Sequence, residues 1–417
     1  MSGFLLAFAV TLLVAVLVSA LAHRTVLSTA VLFLAAGFVL GEGVTGVVPL
    51  TPDSPAVGGL AELALFAVLF TDGMRIGWPD LRNAWRLPGR ALGWGLPLTL
   101  LGTALLARFV AGLDWPEALL LGAVLAPTDP VFAAALVGNE RVPGRLRQLL
   151  NVESGVNDGL ALPFVVVFLA VAADSDELHL GELGLELAAG IAIGVAVPWV
   201  VVRLLRSRFF AASERYQALA PVSIALLVFA LANATHGNLY LAAFAAGVTL
   251  ATVGQPERAA FEDCGELVAE LLKLAALLVF GALLTPSFLA EVPWTGWLFA
   301  LLALVVARPV ALWLSFLGSG LAAREQAAAM WFGPKGFASV VYGLLVAGSG
   351  IPAADEIFHL VAITIALSIL LHSSTDVLVA RAFDQPAETP AWQEGDDRPA
   401  PDLTATPRQG GHRSGPT

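Results

Sequence analysis

The chain has 417 residues, 58% of them hydrophobic and only 13% charged, with a mean hydropathy of +0.81 and a formal net charge of −11. A water-soluble fold cannot hide that much apolar surface, so a soluble globular protein is excluded. A single cysteine, Cys264, rules out an internal disulfide, and no soluble block is long enough for a nucleotide-binding domain.

The chain opens on "MSGFLLAFAVTLLVAVLVSALAH", in which Ala20-Leu21-Ala22 resembles a signal-peptide cleavage site. No Lys or Arg precedes the apolar run, and the run is too long for a signal core, so a retained first helix is expected. Twelve further apolar blocks follow. The spans read as 3–22, 25–41, 57–74, 90–112, 116–138, 149–173, 181–205, 214–235, 238–254, 264–285, 294–318, 323–349 and 354–382. Most approach or exceed about 18 residues, enough to cross about 30 Å of hydrocarbon as a helix, and none shows the ten-residue alternation of a membrane barrel. The expected class is an all-α polytopic membrane protein of about thirteen helices.

The loops follow the same count. Fifteen of the 22 basic residues fall in one alternate set, including Arg75, Arg82, Arg86 and Arg90, then Arg141, Arg145 and Arg147, then Arg203, Arg206, Arg208 and Arg215. The other set has Arg108 alone and carries "DSDELHLGELGLE" instead. By the positive-inside rule the N-terminus lies outside and the C-terminus in the cytoplasm. Residues 1–383 form the membrane domain on this reading. Residues 384–417, "DQPAETPAWQEGDDRPAPDLTATPRQGGHRSGPT", bury too little apolar surface to fold and read as a disordered cytoplasmic tail.

Several polar residues remain inside the spans. Asp72 closes the third; Thr128 and Asp129 sit in "APTDP" of the fifth; Glu153, Ser154, Asn157 and Asp158 sit in "ESGVNDG" of the sixth. Glu270 and Lys273 lie in the tenth, Arg308 in the eleventh and Lys335, within "GPKG", in the twelfth. An ionisable group at membrane depth costs at least about 2.5 kcal/mol, so each is a functional candidate by default. Glu270 and Lys273, three apart on one helix face, read instead as a local structural pair, and Glu62 as structural or interfacial.

Ser154 and Asp158 are four apart and share a helix face; Glu153 and Asn157 form the adjacent stripe. A carboxylate with a hydroxyl one turn away is half of an oxygen site for a monovalent cation. A desolvated carboxylate also holds a proton more readily. One group that binds either a proton or a cation, never both, suffices for coupled exchange. The prolines around Thr128-Asp129 and the Gly-Pro-Lys-Gly around Lys335 break two helices seven spans apart, which therefore run in opposite directions. Broken helices at matching places in inverted halves point to a transport site at the midplane. Asp129 would neutralise facing helix N-termini and Lys335 facing C-termini, or either would touch the ion directly.

Taken in order, "FTDGMR", "APTDP", "ESGVNDG", "ARPV" and "GPKGFASV" resemble the NhaP-type sodium/proton antiporters, the electroneutral branch of the monovalent cation:proton antiporters, over roughly residues 1–382. The resemblance implies a core domain and a dimerisation domain, a homodimer in the cell (inner) membrane, and 1:1 exchange of Na+ (or Li+) for H+ by alternating access. It assigns Asp158 as the residue for which cation and proton compete, and Asn157 as the mark of the electroneutral branch. Ser154, Asp72 and the Thr128 carbonyl are implied as further Na+ ligands, Asp129 as the acid of the unwound helix, and Glu153–Arg308 as a buried core pair. Two positions depart from the pattern: Lys335 stands where arginine is usual and Asp72 where glutamate is. These departures leave the choice between Na+ and K+ open. K+/H+ exchange is the nearest alternative, followed by organic-anion/Na+ symport, with an ion channel or membrane sensor in another class. No catalytic residue, cofactor or nucleic-acid partner is expected.

Overall fold

The computed structural model describes residues 2–22, 29–51, 54–75, 86–129, 141–173, 180–207, 216 and 219–383. The expected tail, 384–417, and the second half of the fifth predicted span, 130–138, lie outside them. Among the described residues the chain is helical, apart from one isolated bridge between Gly41 and Val48.

In chain order the helices are α1 (Ser2–Ala22), α2 (Thr29–Leu40), α3 (Pro55–Arg75), α4 (Pro88–Ala111), α5 (Trp115–Val124), α6 (Gly144–Ala172) and α7 (Leu180–Leu205). There follow α8 (Ala220–Thr235), α9 (Leu239–Val253), α10 (Gln255–Leu283), α11 (Pro286–Glu291), α12 (Trp294–Ser315), α13 (Ala323–Trp331), α14 (Phe337–Ala347) and α15 (Ala354–Ala382). A helix overlaps each predicted segment, and α3, α4, α6, α7, α12 and α15 are long and apolar enough to cross a membrane. The predicted twelfth span is two helices, α13 and α14, joined by the extended residues 332–336.

Local chemistry sets these boundaries. Asn238 accepts from the Leu241 N–H at 2.9 Å and Thr285 from the Phe288 N–H at 3.1 Å, capping α9 and α11. Glu117 reaches back to the Asp114 N–H at 3.1 Å and fixes the start of α5. Within α4 and α12, loosened π-turns at Ala91–Gly95 and Ala303–Ala307 precede Pro97 and Pro309. Each proline lacks the N–H that would have tightened that turn.

The helices pack in two groups. α4, α5, α6, α12, α13, α14 and α15 form one; α2, α3, α7, α8, α9 and α10 form the other, with α1 against α2. In the second group glycines let backbones touch. A Cβ on Gly247 would lie 2.2 Å from the Phe70 carbonyl and one on Gly73 2.5 Å from the Phe244 carbonyl, so α3 and α9 close at this pair. The groups meet where α3, α9 and α10 face α6 and α14.

Candidate functional site

The two interrupted segments cross between the groups. Helix α5 stops at Val124, and the chain runs extended through Pro127, Thr128 and Asp129. The Asp129 N–H donates to the Pro334 carbonyl at 2.9 Å, pairing the two unwound backbones. The Asp129 side chain then accepts the Phe337 N–H at 3.3 Å, the first donor of α14. A carboxylate here answers the positive end of that helix. Lys335 runs the opposite way: its Nζ lies 3.5 Å from the Ala126 carbonyl, past the end of α5. Each charge thus faces one of the helix ends expected from sequence.

Glycines make this crossing feasible. A Cβ on Gly336 would fall 1.9 Å from the Asp129 Cβ, and one on Gly333 would fall 1.5 Å from the Arg308 Nε. The "GPKG" segment is therefore a passage for two charged side chains as well as a helix break.

Arg308 on α12 donates to Glu153 Oε1 on α6 at 2.7 Å and to the Phe332 carbonyl at 3.2 Å, with both side chains buried. Behind them α15 braces the break. The Lys335 N–H donates to Ser368 Oγ at 2.7 Å. His372 places Nε2 3.0 Å from the Trp331 carbonyl, and Nδ1 lies 2.8 Å from the Ser368 carbonyl and 3.1 Å from the Ser368 hydroxyl.

The oxygen-rich side is built on α6. Asn157 Nδ2 donates to Thr128 Oγ1 at 2.7 Å, and Thr128 Oγ1 lies 3.4 Å from Ser154 Oγ. Ser154, Asn157, Asp158, Thr128 and Asp129 are all buried. Among the described residues, Asn157 Oδ1 and Asp158 Oδ1 have no hydrogen-bond partner. The Asp158 backbone carbonyl is held by the Tyr342 hydroxyl at 2.8 Å. Asp72 on α3 completes the set: Asp72, Asp129 and Asp158 act on one another electrostatically. Thr128, Ser154 and Asn157 therefore meet directly, Asp129 and Asp158 are buried on the same two segments, and Asp72 on α3 acts on both acids electrostatically.

One charge sits elsewhere than expected. Lys273 does not serve only Glu270; its Nζ lies 3.5 Å from Asp129 Oδ2 across the boundary between the groups. Sequence spacing offered a partner one turn away, and tertiary packing supplied another. A charge tally carried the missing signal: Asp72, Asp129, Glu153 and Asp158 faced only Arg308 and Lys335. Tyr342, Ser368 and His372 carried no sequence signal above that of satisfied polar groups in apolar helices.

At the C-terminal end of α3, Arg75 reaches Asp72 Oδ1 at 3.4 Å and Glu266 Oε1 at 3.2 Å. At the opposite end of α3 a cavity of about 390 Å³ opens between α3, α9 and α14, lined by Glu62, Tyr240 and Leu344 among others. Glu62 thus faces a cleft between the groups.

Residues 10–381 match the family model described as sodium/hydrogen exchanger, transmembrane. The chain belongs to that family. Among curated relatives, the K(+)/H(+) antiporter NhaP2 of Shewanella baltica (strain OS223) is 26% identical over 388 residues, covering 91% of this chain and 66% of its own. The probable Na(+)/H(+) antiporter C3A11.09 of Schizosaccharomyces pombe is 27% identical over 319 residues, covering 69% of this chain and 41% of its own. The chain thus spans just under two thirds of the length of that NhaP2 relative. Among solved structures, the sodium proton antiporter MjNhaP1 of Methanocaldococcus jannaschii at pH 8 shares the fold. Its TM-score is 0.77 at 20% identity, covering 91% of this chain and 97% of that one.

Proposed function

We propose that the protein is a secondary antiporter exchanging a monovalent cation for a proton, one for one, with both competing for Asp158. The observation that carries this reading is the pair of buried oxygens, Asp158 Oδ1 and Asn157 Oδ1, left without partners beside two hydroxyls at a crossing of broken helices. A buried acceptor without a donor costs about 1–3 kcal/mol, and more when charged. A proton or a cation removes that cost, and a single carboxylate takes only one of them at a time.

In the cation-loaded state Asp158, Ser154, Asp72 and the Thr128 backbone carbonyl contribute oxygens. Asn157 contributes a neutral amide, so the site changes by one charge and the exchange moves none across the membrane. Asp129 stays committed to the α14 N-terminus. The α4–α6 and α12–α15 group acts as the moving core, and the α2–α3 and α7–α10 group as a scaffold and dimer platform. Thirteen crossings put the Arg75 end in the cytoplasm, in a bacterial inner membrane. One pH unit, about 1.4 kcal/mol, then sustains a cation gradient of about tenfold.

Na+ (or Li+) is the cation of the leading reading. K+ is the second, favoured by the names of the NhaP2 relatives. Purified protein in liposomes with an internal pH dye separates them. A proton gradient is imposed and Na+, Li+ or K+ is added with the potential clamped at zero or strongly negative. Dye recovery on Na+ or Li+ that ignores the potential supports the leading reading, and recovery on K+ alone selects the second. Current that rises without saturation and follows voltage would put a channel in its place.

A further inference from the structure

Lys273 is buried on α10, in the scaffold group, yet its ammonium points across the boundary to Asp129. Asp72 and Glu270 are also among the charges acting on it, and Lys273 in turn acts on Asp158. Asp72 also has Arg75 at 3.4 Å, so Lys273 is the cation that a scaffold helix brings to Asp129, with Asp72 and Asp158 within its field. At 3.5 Å the contact with Asp129 is looser than a charge-assisted hydrogen bond of about 2.7–2.9 Å. Asp129 also accepts the Phe337 N–H at the start of α14, so its carboxylate has a second partner besides the ammonium.

We propose that the Lys273 ammonium is a tethered stand-in for the transported ion. It supplies the positive charge of the cation-free site, and a cation reaching Asp158 displaces it from Asp129, releasing the tie between the two helix groups. This rests on the antiport reading above. Two monovalent positive charges a few ångströms apart in a poorly screened interior repel strongly, so cation affinity is set by competition with the fixed ammonium. A purely structural ion pair behaves differently. Removing one partner then strands a buried charge and costs stability, while the cation affinity of whatever still folds is unchanged.

The test compares wild type, Lys273→Gln, Lys273→Met and Lys273→Arg in the liposome assay, with cation-dependent thermal shifts of the detergent-purified proteins alongside. Lys273→Gln keeps a hydrogen-bond donor toward Asp129 and so remains informative if Lys273→Met does not fold. The expected result is a fall in cation KM of about tenfold or more in Lys273→Gln and Lys273→Met. The thermal-shift midpoint should move to lower cation concentration in step, and Lys273→Arg should stay within about twofold of wild type. An unchanged KM in Lys273→Gln, whatever happens to kcat, overturns the proposal and leaves Lys273 as a structural brace. A wild type that exchanges no cation fails the parent reading instead, so the two failures are told apart.

Discussion

Two clusters of buried charge flank the crossing of the interrupted helices, and they are completed in different ways. On one side Arg308 is shared between Glu153 and the Phe332 carbonyl, Lys335 faces the Ala126 carbonyl, and His372 closes the Trp331 carbonyl. The positive charges there meet a carboxylate and the carbonyl ends of α5 and α13. On the other side Asp72, Asp129 and Asp158 face the Lys273 ammonium, Arg75 and one helix N-terminus; the atoms left over there, Asn157 Oδ1 and Asp158 Oδ1, are both acceptors, whereas those left over on the first side, Glu153 Oε2 and Arg308 Nε, are one acceptor and one donor. A cluster whose charges are matched by fixed groups holds a shape. A cluster with an excess of negative oxygen is completed only by something that arrives and leaves. The same low dielectric strengthens both, so the difference lies in the balance of charge and not in burial.

The largest expected effect breaks the second cluster alone. Asp158→Asn removes the titrating carboxylate while keeping its shape, and among the described residues Asp158 makes no ion pair that folding would lose. Proton flux driven by any cation should fall to that of empty liposomes, with the protein still monodisperse and its melting temperature unchanged or higher. Retained exchange would move the binding role away from Asp158.

The next effect breaks the first cluster. Arg308→Met leaves Glu153 buried without its partner, a loss of about 3–5 kcal/mol. The melting temperature should drop steeply, whatever remains of transport. Arg308→Met combined with Glu153→Met should restore most of that stability, because a buried pair replaced as a unit is close to neutral. Failure of the double variant to recover would mean that the pair also holds the "GPKG" passage open, which Arg308 threads at Gly333.

The helix breaks were legible in the sequence because they depend on local signals, whereas the Glu153–Arg308 pairing followed from the family resemblance. Pro127, Gly333, Pro334 and Gly336 dictate loss of helix wherever they fall, and an arginine among apolar residues demands a carboxylate. The spacing of Ser154 and Asp158 likewise put them on one helix face, with Asn157 on the adjacent stripe. What escaped is what depends on packing between distant helices. Lys273 sits 144 positions from Asp129, and nothing in "AELLKLAALL" says which acid it faces. Tyr342 is similar: its hydroxyl finds the Asp158 carbonyl only because α14 lies against α6.

The smallest of these effects sharpens the comparison by asking how the second cluster shares its work. Ser154 Oγ lies 3.4 Å from Thr128 Oγ1, a long contact that contributes little to stability. Thr128 Oγ1 keeps the bond it accepts from Asn157 at 2.7 Å, so Ser154→Ala removes only the long hydroxyl–hydroxyl contact. Its melting temperature without added cation should therefore stay within about 1 °C of wild type. If Ser154 is an oxygen ligand, removing it weakens the cation-bound state and leaves the protonated state alone. Cation KM should rise about tenfold, equivalent to about 1.4 kcal/mol, with kcat little changed. A fall in kcat at constant KM would instead place Ser154 in the movement of the core, and the oxygen shell of the ion would then be drawn from Asp158, Asp72 and the Thr128 backbone.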